Sequence, residues 1–176
     1  MKLPPPTMNT ITITPAGPAQ HGLLFRLLQL YYFEASHWSD EDILPSGLYD
    51  ASEEGVRSYL LGGDDYALLA WVDGHPAGFA LVEAAQGVPP ARYELADMFV
   101  LPKYRGRGVA ETLLAQTMLP SPAPWLVAVF KRDAAALRYW QKRFAQWPAK
   151  SVQAQADRAD SPFHLFVVSA LAPADA

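Results

Sequence analysis

The run Arg105-Gly106-Arg107-Gly108 stands between an apolar, alternating segment from Tyr93 to Leu101 and a segment whose apolar residues Val109, Leu113, Leu114 and Met118 recur at helical spacing. Strand, glycine loop and helix therefore follow one another directly, with Val109 and Leu113 tethering the helix to the sheet. A helix N-terminus leaves backbone N–H groups without internal partners and carries a partial positive charge, so a glycine turn leading into it suits a pyrophosphate. Gly106 and Gly108 permit close approach of the backbone, and Arg105 and Arg107 add charge around it. Other phosphate loops fit less well. Gly-x-x-x-x-Gly-Lys-Ser/Thr is absent, and a dinucleotide fingerprint would need a third glycine near Glu111. Taken alone, the tetrapeptide reads equally well as a flexible turn.

The remaining elements can be placed around this unit. Thr10 to Thr14 alternates and is β-branched, which predicts a first strand ended by Pro15 and Gly17. Leu23, Leu24, Leu27, Leu28 and Tyr31 define an amphipathic helix running to about Glu34. An acidic and aromatic loop from Ser36 to Asp50 follows, and Ser52-Glu53-Glu54 predicts a capped, acid-first helix ending near Gly62-Gly63. Two apolar runs flanking Asp73-Gly74 predict a hairpin over 65–84. After the glycine-loop helix, Trp125 to Phe130 reads as a buried strand, and Leu137, Trp140 and Phe144 mark one face of a helix. Ser151 to Gln155 suits an edge strand and Phe163 to Val168 a final one. One domain over residues 10–170 is expected, with flexible ends at 1–9 and 171–176.

Charge narrows the function. A net charge of -4 argues against a general nucleic-acid binder. More than half of the 14 basic residues fall in two stretches, Lys103, Arg105 and Arg107, then Lys131, Arg132, Arg138, Lys142 and Arg143, which could share one anionic ligand. The segment between Arg26 and Arg57 carries Glu34, Asp40, Glu41, Asp42, Asp50, Glu53 and Glu54 with no Lys or Arg, so that half should be electronegative. The absence of cysteine excludes thiolate chemistry and disulfides, and the four histidines lack metal-ligand spacing, so no metal is expected. The start Met1 to Pro6 lacks the apolar run of a signal peptide, and no stretch approaches the ~18 apolar residues of a membrane span. A cytoplasmic protein without membrane attachment is the expectation.

The stretch Asp97-Met98-Phe99-Val100-Leu101-Pro102-Lys103-Tyr104-Arg105-Gly106-Arg107-Gly108-Val109-Ala110 resembles motif A of the GNAT superfamily of N-acetyltransferases, and the order of elements over about 10–170 is similar too. The Tyr31-Tyr32-Phe33-Glu34 segment, the Ala77 to Val82 strand and the Tyr139-Trp140 pair look most like a little-characterised group within it. The resemblance implies an α/β (α+β) fold with a mixed sheet of six to seven strands and about four helices. It implies acetyl-CoA as donor, with Met98, Phe99 and Val100 pairing with the pantetheine arm, and Arg105, Gly106, Arg107, Gly108, Val109 and Ala110 holding the pyrophosphate. On the last helix, Asp133 and Trp140 align with a family asparagine that contacts cofactor and a tyrosine near the sulfur. An indole N–H is a poor proton donor, so the usual acid is missing from its position.

Direct transfer needs a base near the acceptor and an acid for the thiolate. Asp97, at an acidic position of the motif, is the preferred base, although a structural role fits it equally; Tyr139 would serve as acid only on a helix turned by about a hundred degrees, one residue's rotation. By the same resemblance the first helices and their loop wall the acceptor, where Tyr31, Glu34, Trp38 and Tyr49 could receive an apolar or cationic group. The leading expectation is N-acetylation of a small-molecule amine or exposed amino group. Trp140 leaves open a non-catalytic acyl-CoA-binding or regulatory module, the aromatic loop leaves open a protein-binding role, and a homodimer is compatible with either.

Overall fold

The computed structural model describes residues 10–147 and 150–170, so the terminal segments expected to be flexible lie outside the described residues. In chain order the elements are β1 (Ile11–Pro15), α1 (His21–Ala35), α2 (Glu53–Ser58), β2 (Tyr66–Val72), β3 (His75–Ala84), β4 (Tyr93–Val100), α3 (Val109–Ala115), β5 (Trp125–Phe130), α4 (Ala134–Ala145), β6 (Lys150–Ala154) and β7 (Phe163–Ala170). They build a seven-stranded sheet in the order β1-β2-β3-β4-β5-β7-β6. Only β4 and β5 run parallel; every other neighbour is antiparallel. The expected mixed sheet with four helices is therefore present.

Local chemistry accounts for most boundaries. Asp73 and Gly74 both take positive φ (50° and 77°), as a primed two-residue turn requires, and they join β2 to β3. Ser52 caps α2 by accepting from Gly55 N at 2.9 Å. The glycine-loop helix is shorter than the spacing to Met118 predicts. After Ala115 the chain leaves the helical ladder, with Leu119 N–H bonding back to Leu114 O and the Thr117 hydroxyl to Leu113 O. Met118 still enters the core, 1% exposed, from that turn.

Two apolar layers sandwich the sheet. Leu24, Leu27 and Leu28 of α1 and Val56 of α2 pack on Leu69, Phe79, Leu81 and Phe99 on one face. Val109, Leu113 and Leu114 of α3 and Trp140 of α4 pack on Ala70, Ala80, Leu95 and Val127 on the other. No helix among the described residues is long and apolar enough to cross a membrane.

Gly78 fixes how closely β3 and β4 approach. A Cβ there would stand 2.2 Å from Phe99 O, a backbone atom that cannot swing aside. Gly78→Ala should therefore force the strands apart, costing about 1–3 kcal/mol as overpacking does. At roughly 2–4 °C per kcal/mol for a chain of this size, thermal denaturation should show a midpoint several degrees lower. An unchanged midpoint would mean that this strand pair yields easily.

Candidate active site

β4 and β5 pair over three residues only, Tyr93 with Trp125, Glu94 with Leu126 and Leu95 with Val127. Immediately beyond Leu95, β4 bulges: Leu81 of β3 faces Asp97 and Val82 faces Leu95, leaving Ala96 as the extra residue. A bulge bends its strand and ends pairing, and here the two parallel strands part. The gap measures about 370 Å³ and runs through the sheet. Ala96 to Val100 form one side and Val127 to Phe130 the other; Ala136, Tyr139 and Trp140 of α4 close one mouth, and Tyr31, Glu34 and Trp38 the opposite one.

The strand wall of this gap is polar. Leu101 N–H donates to Ala77 O at 2.8 Å, so by alternation Phe99 and Asp97 also turn their backbone groups toward β3. The amides of Met98 and Val100 consequently face the gap. At the end of β4 a short turn, Pro102–Tyr104, delivers the chain to Gly106 and Gly108, both with positive φ (71° and 87°), and Gly108 is the N-cap residue of α3. A Cβ on Gly106 would meet open space, and one on Gly108 only Ile11 at 3.9 Å, so the loop is shaped by conformation and not by crowding. Val109 is buried and Ala110 partly so, which holds the helix start against the sheet.

Arg105 ties this loop to α1. Its Nε donates to Val100 O at 2.8 Å, its Nη2 lies 2.7 Å from Glu34, and its guanidinium stacks 5.7 Å from the Phe99 ring. Arg107 stacks over Tyr104 at 5.9 Å. A residue assigned to the cofactor and one assigned to the acceptor thus form one ion pair at the mouth of the gap. Arg132, between β5 and α4, pairs with Asp40 of the α1–α2 loop at 2.7 Å.

Asp97 lines the gap on the β4 side. Burial pushes its carboxyl up to about 7; a hydrogen bond from the Tyr31 hydroxyl opposes this, and the charges of Glu83, Glu94 and Glu41 add to the rise. Tyr31 is itself pushed well above the usual phenol range, first by burial and then by Asp97.

On α4, Asp133 lines the gap but spends its carboxylate on capping the helix, accepting from Ala136 N at 2.8 Å. Trp140 is 7% exposed, stacks with Phe144 and Trp147 beside it and joins Leu95 and Val127 in the apolar layer, so it anchors α4 to the sheet while also bordering the gap. Tyr139 borders the gap as well. Its hydroxyl is buried without a well-aligned hydrogen bond, beneath the Arg143 guanidinium, and burial followed by the Glu111 charge pushes it up to about 12. Tyr49 lines no part of the gap; it packs on Tyr32 at 6.4 Å and exchanges two hydrogen bonds with Gln29.

Sequence reasoning named Asp97 and Tyr31 separately but not their contact, and it passed over Asp65 and Glu83. A signal was available: each stands two residues from a buried apolar position, Ala67 and Leu81, and so shares the α1 face of the sheet.

The family model described as the acetyltransferase (GNAT) family matches residues 24–145. Among solved structures, an acetyltransferase from Thermus thermophilus superposes with a TM-score of 0.63 at 17% identity, over 93% of this chain and 99% of its own. The PaiA N-acetyltransferase of Thermoplasma acidophilum, solved with coenzyme A, gives 0.63 at 14% identity over 92% and 99%. Diaminobutyrate acetyltransferase EctA of Paenibacillus lautus, solved with L-2,4-diaminobutyric acid and coenzyme A, gives 0.63 at 13% over 92% and 96%. No curated protein matches the chain by sequence.

Proposed function

This chain belongs to the GNAT acetyltransferase family, and from that premise we propose that it moves an acetyl group from acetyl-CoA directly to a primary amine, within a ternary complex. The amine is carried by a small molecule or an exposed amino group. One observation carries the reading: the gap between the parted strands has free amides on one wall, a glycine turn with a helix start at its end, and the half-buried Asp97 carboxylate on its lining. Two neighbours of this fold were solved with coenzyme A, which supports the donor.

Met98, Phe99 and Val100 would hold the pantetheine arm along β4, and Arg105 to Ala110 the pyrophosphate, with Asp133 and Trp140 bordering the arm from α4. When bound, acetyl-CoA supplies an activated acetyl carbon, at which the amine's C–N bond forms as the C–S bond breaks. An inward amide of β4 stabilises the charge that develops on the carbonyl oxygen. Asp97, poised near neutrality, accepts the proton that the ammonium must shed and returns it to solvent. A thiol ionises near about 8.5 and is a stronger acid than the Tyr139 phenol, so the thiolate departs without full proton transfer. Tyr139 then serves as a hydrogen-bond donor to it. Tyr31, Glu34 and Trp38 wall the acceptor's mouth of the gap, and Tyr49 backs them through Tyr32.

Calorimetric titration with acetyl-CoA, followed by a free-thiol assay over a panel of amines, tests this. Saturable binding and amine-dependent thiol release are expected. Binding without release across a broad panel would favour a non-catalytic acyl-CoA module, and no binding would leave the aromatic loop's protein-binding role.

A further inference from the structure

A second cavity of about 380 Å³ lies on the α1 face of the sheet, between α1, α2 and the strands, and shares Asp97 with the gap. Every charged residue that borders it is an acid: Asp50, Asp65, Glu83 and Asp97. None of the four forms an ion pair with Lys or Arg among the described residues. Glu83 also faces Glu94 directly across the β3–β4 pair, where like charges destabilise a sheet. Uncompensated carboxylates around a cavity that shares Asp97 with the reaction gap call for a cationic occupant.

The carboxylates fall in two places: Asp97 borders the reaction gap, whereas Glu83 and Asp65 border the second cavity alone. Asp97 is opposite Leu81, and Glu83 stands two residues further along β3 on the same face, opposite Glu94 and past the bulge at Ala96. Glu83 Oε1 accepts from the Tyr59 hydroxyl, which fixes the side chain, while its second oxygen has no hydrogen bond among the described residues. Asp65, held by accepting from Ala84 N at 3.1 Å, lies beside it, and the Tyr32 and Tyr59 rings complete the wall. Aromatic faces suit an alkylammonium as well as carboxylates do.

We infer that this cavity extends the acceptor site beyond the mouth walled by Tyr31, Glu34 and Trp38, and that the substrate is a dication, an alkyl diamine whose remote ammonium sits at Glu83 and Asp65 while the reacting nitrogen reaches Asp97. Glu83 is thus a specificity residue for the transfer proposed above, on which this inference rests. The reacting nitrogen loses its proton to Asp97 and joins the acetyl carbon, coenzyme A leaves as the thiolate, and the remote nitrogen keeps its charge.

Cadaverine and its single-amine analogue pentylamine are the probes. Calorimetry on the full chain saturated with coenzyme A should show cadaverine binding at least tenfold more tightly than pentylamine, and kcat/KM for acetylation should favour cadaverine by a similar factor. In Glu83→Gln that ratio should fall toward one, with Tyr59→Phe giving an intermediate value. Equal affinity for the two amines, or a ratio unchanged in Glu83→Gln, overturns the inference, as does failure of cadaverine to bind a protein that does bind coenzyme A. Failure to bind coenzyme A is a different outcome and overturns the transferase reading itself.

Discussion

Replacing Asp97 with Asn should lower kcat/KM for amine acetylation at neutral pH by about 10²–10⁴, the range that a positioned base contributes, while raising the thermal midpoint. The two effects share a cause. Asp97 is half-buried among Glu83, Glu94 and Glu41, and partial burial together with their charges pushes its carboxyl up to about 7. Between the ordinary carboxylate range and that value the folded chain holds a proton that the unfolded chain has released. Stability therefore falls as pH rises through this window, and above it the chain carries the full cost of a half-buried anion. Asn carries no charge and can still accept from Tyr31, so the cost disappears together with the base. At about one to two kcal/mol recovered, the midpoint should rise by about 2–8 °C. The pH dependence separates catalysis from stability: kcat/KM of the native chain should rise through an inflection near 7 that Asp97→Asn lacks. A variant that keeps both its rate and that inflection would leave Asp97 only a structural role.

Gly108→Glu should abolish acetyl-CoA binding, with affinity falling by at least about 10²-fold. Gly108 holds φ at 87° as the residue before α3, a conformation that costs an L-residue roughly 1–2 kcal/mol. A Cβ nevertheless has room, since only Ile11 comes within 4 Å, so the chain should still fold. What changes is the sign of charge at a helix start whose amides suit an anion. Calorimetry with acetyl-CoA reads the loss, and a thermal midpoint only a few degrees lower shows that the fold survived. Unchanged affinity would place the pyrophosphate elsewhere.

The ion pair of Arg105 with Glu34 changes what those two residues do together. Each is proposed for a different side of the transfer, yet their contact links α1 to the glycine loop across the gap's mouth. Trp140 shows a similar overlap. The indole at that position joins the apolar layer with Leu95 and Val127 and so holds α4 against the sheet, in addition to bordering the gap.

Local patterning determined the elements, their order and the glycine turn, because each depends on residues close in the chain: alternation for strands, helical spacing for α1 and α4, Asp73-Gly74 for the hairpin, Ser52 for a cap, Gly106 and Gly108 for positive φ. It also placed Asp97 within a family motif. The bulge at Ala96, the parting of β4 from β5 after three residue pairs, and the meeting of Asp97 with Tyr31 and Glu83 were decided only by the tertiary structure. Strand register and burial come from residues far apart in sequence. A carboxylate acquires its proton affinity from what surrounds it in the sheet, and that neighbourhood is not written in any single segment.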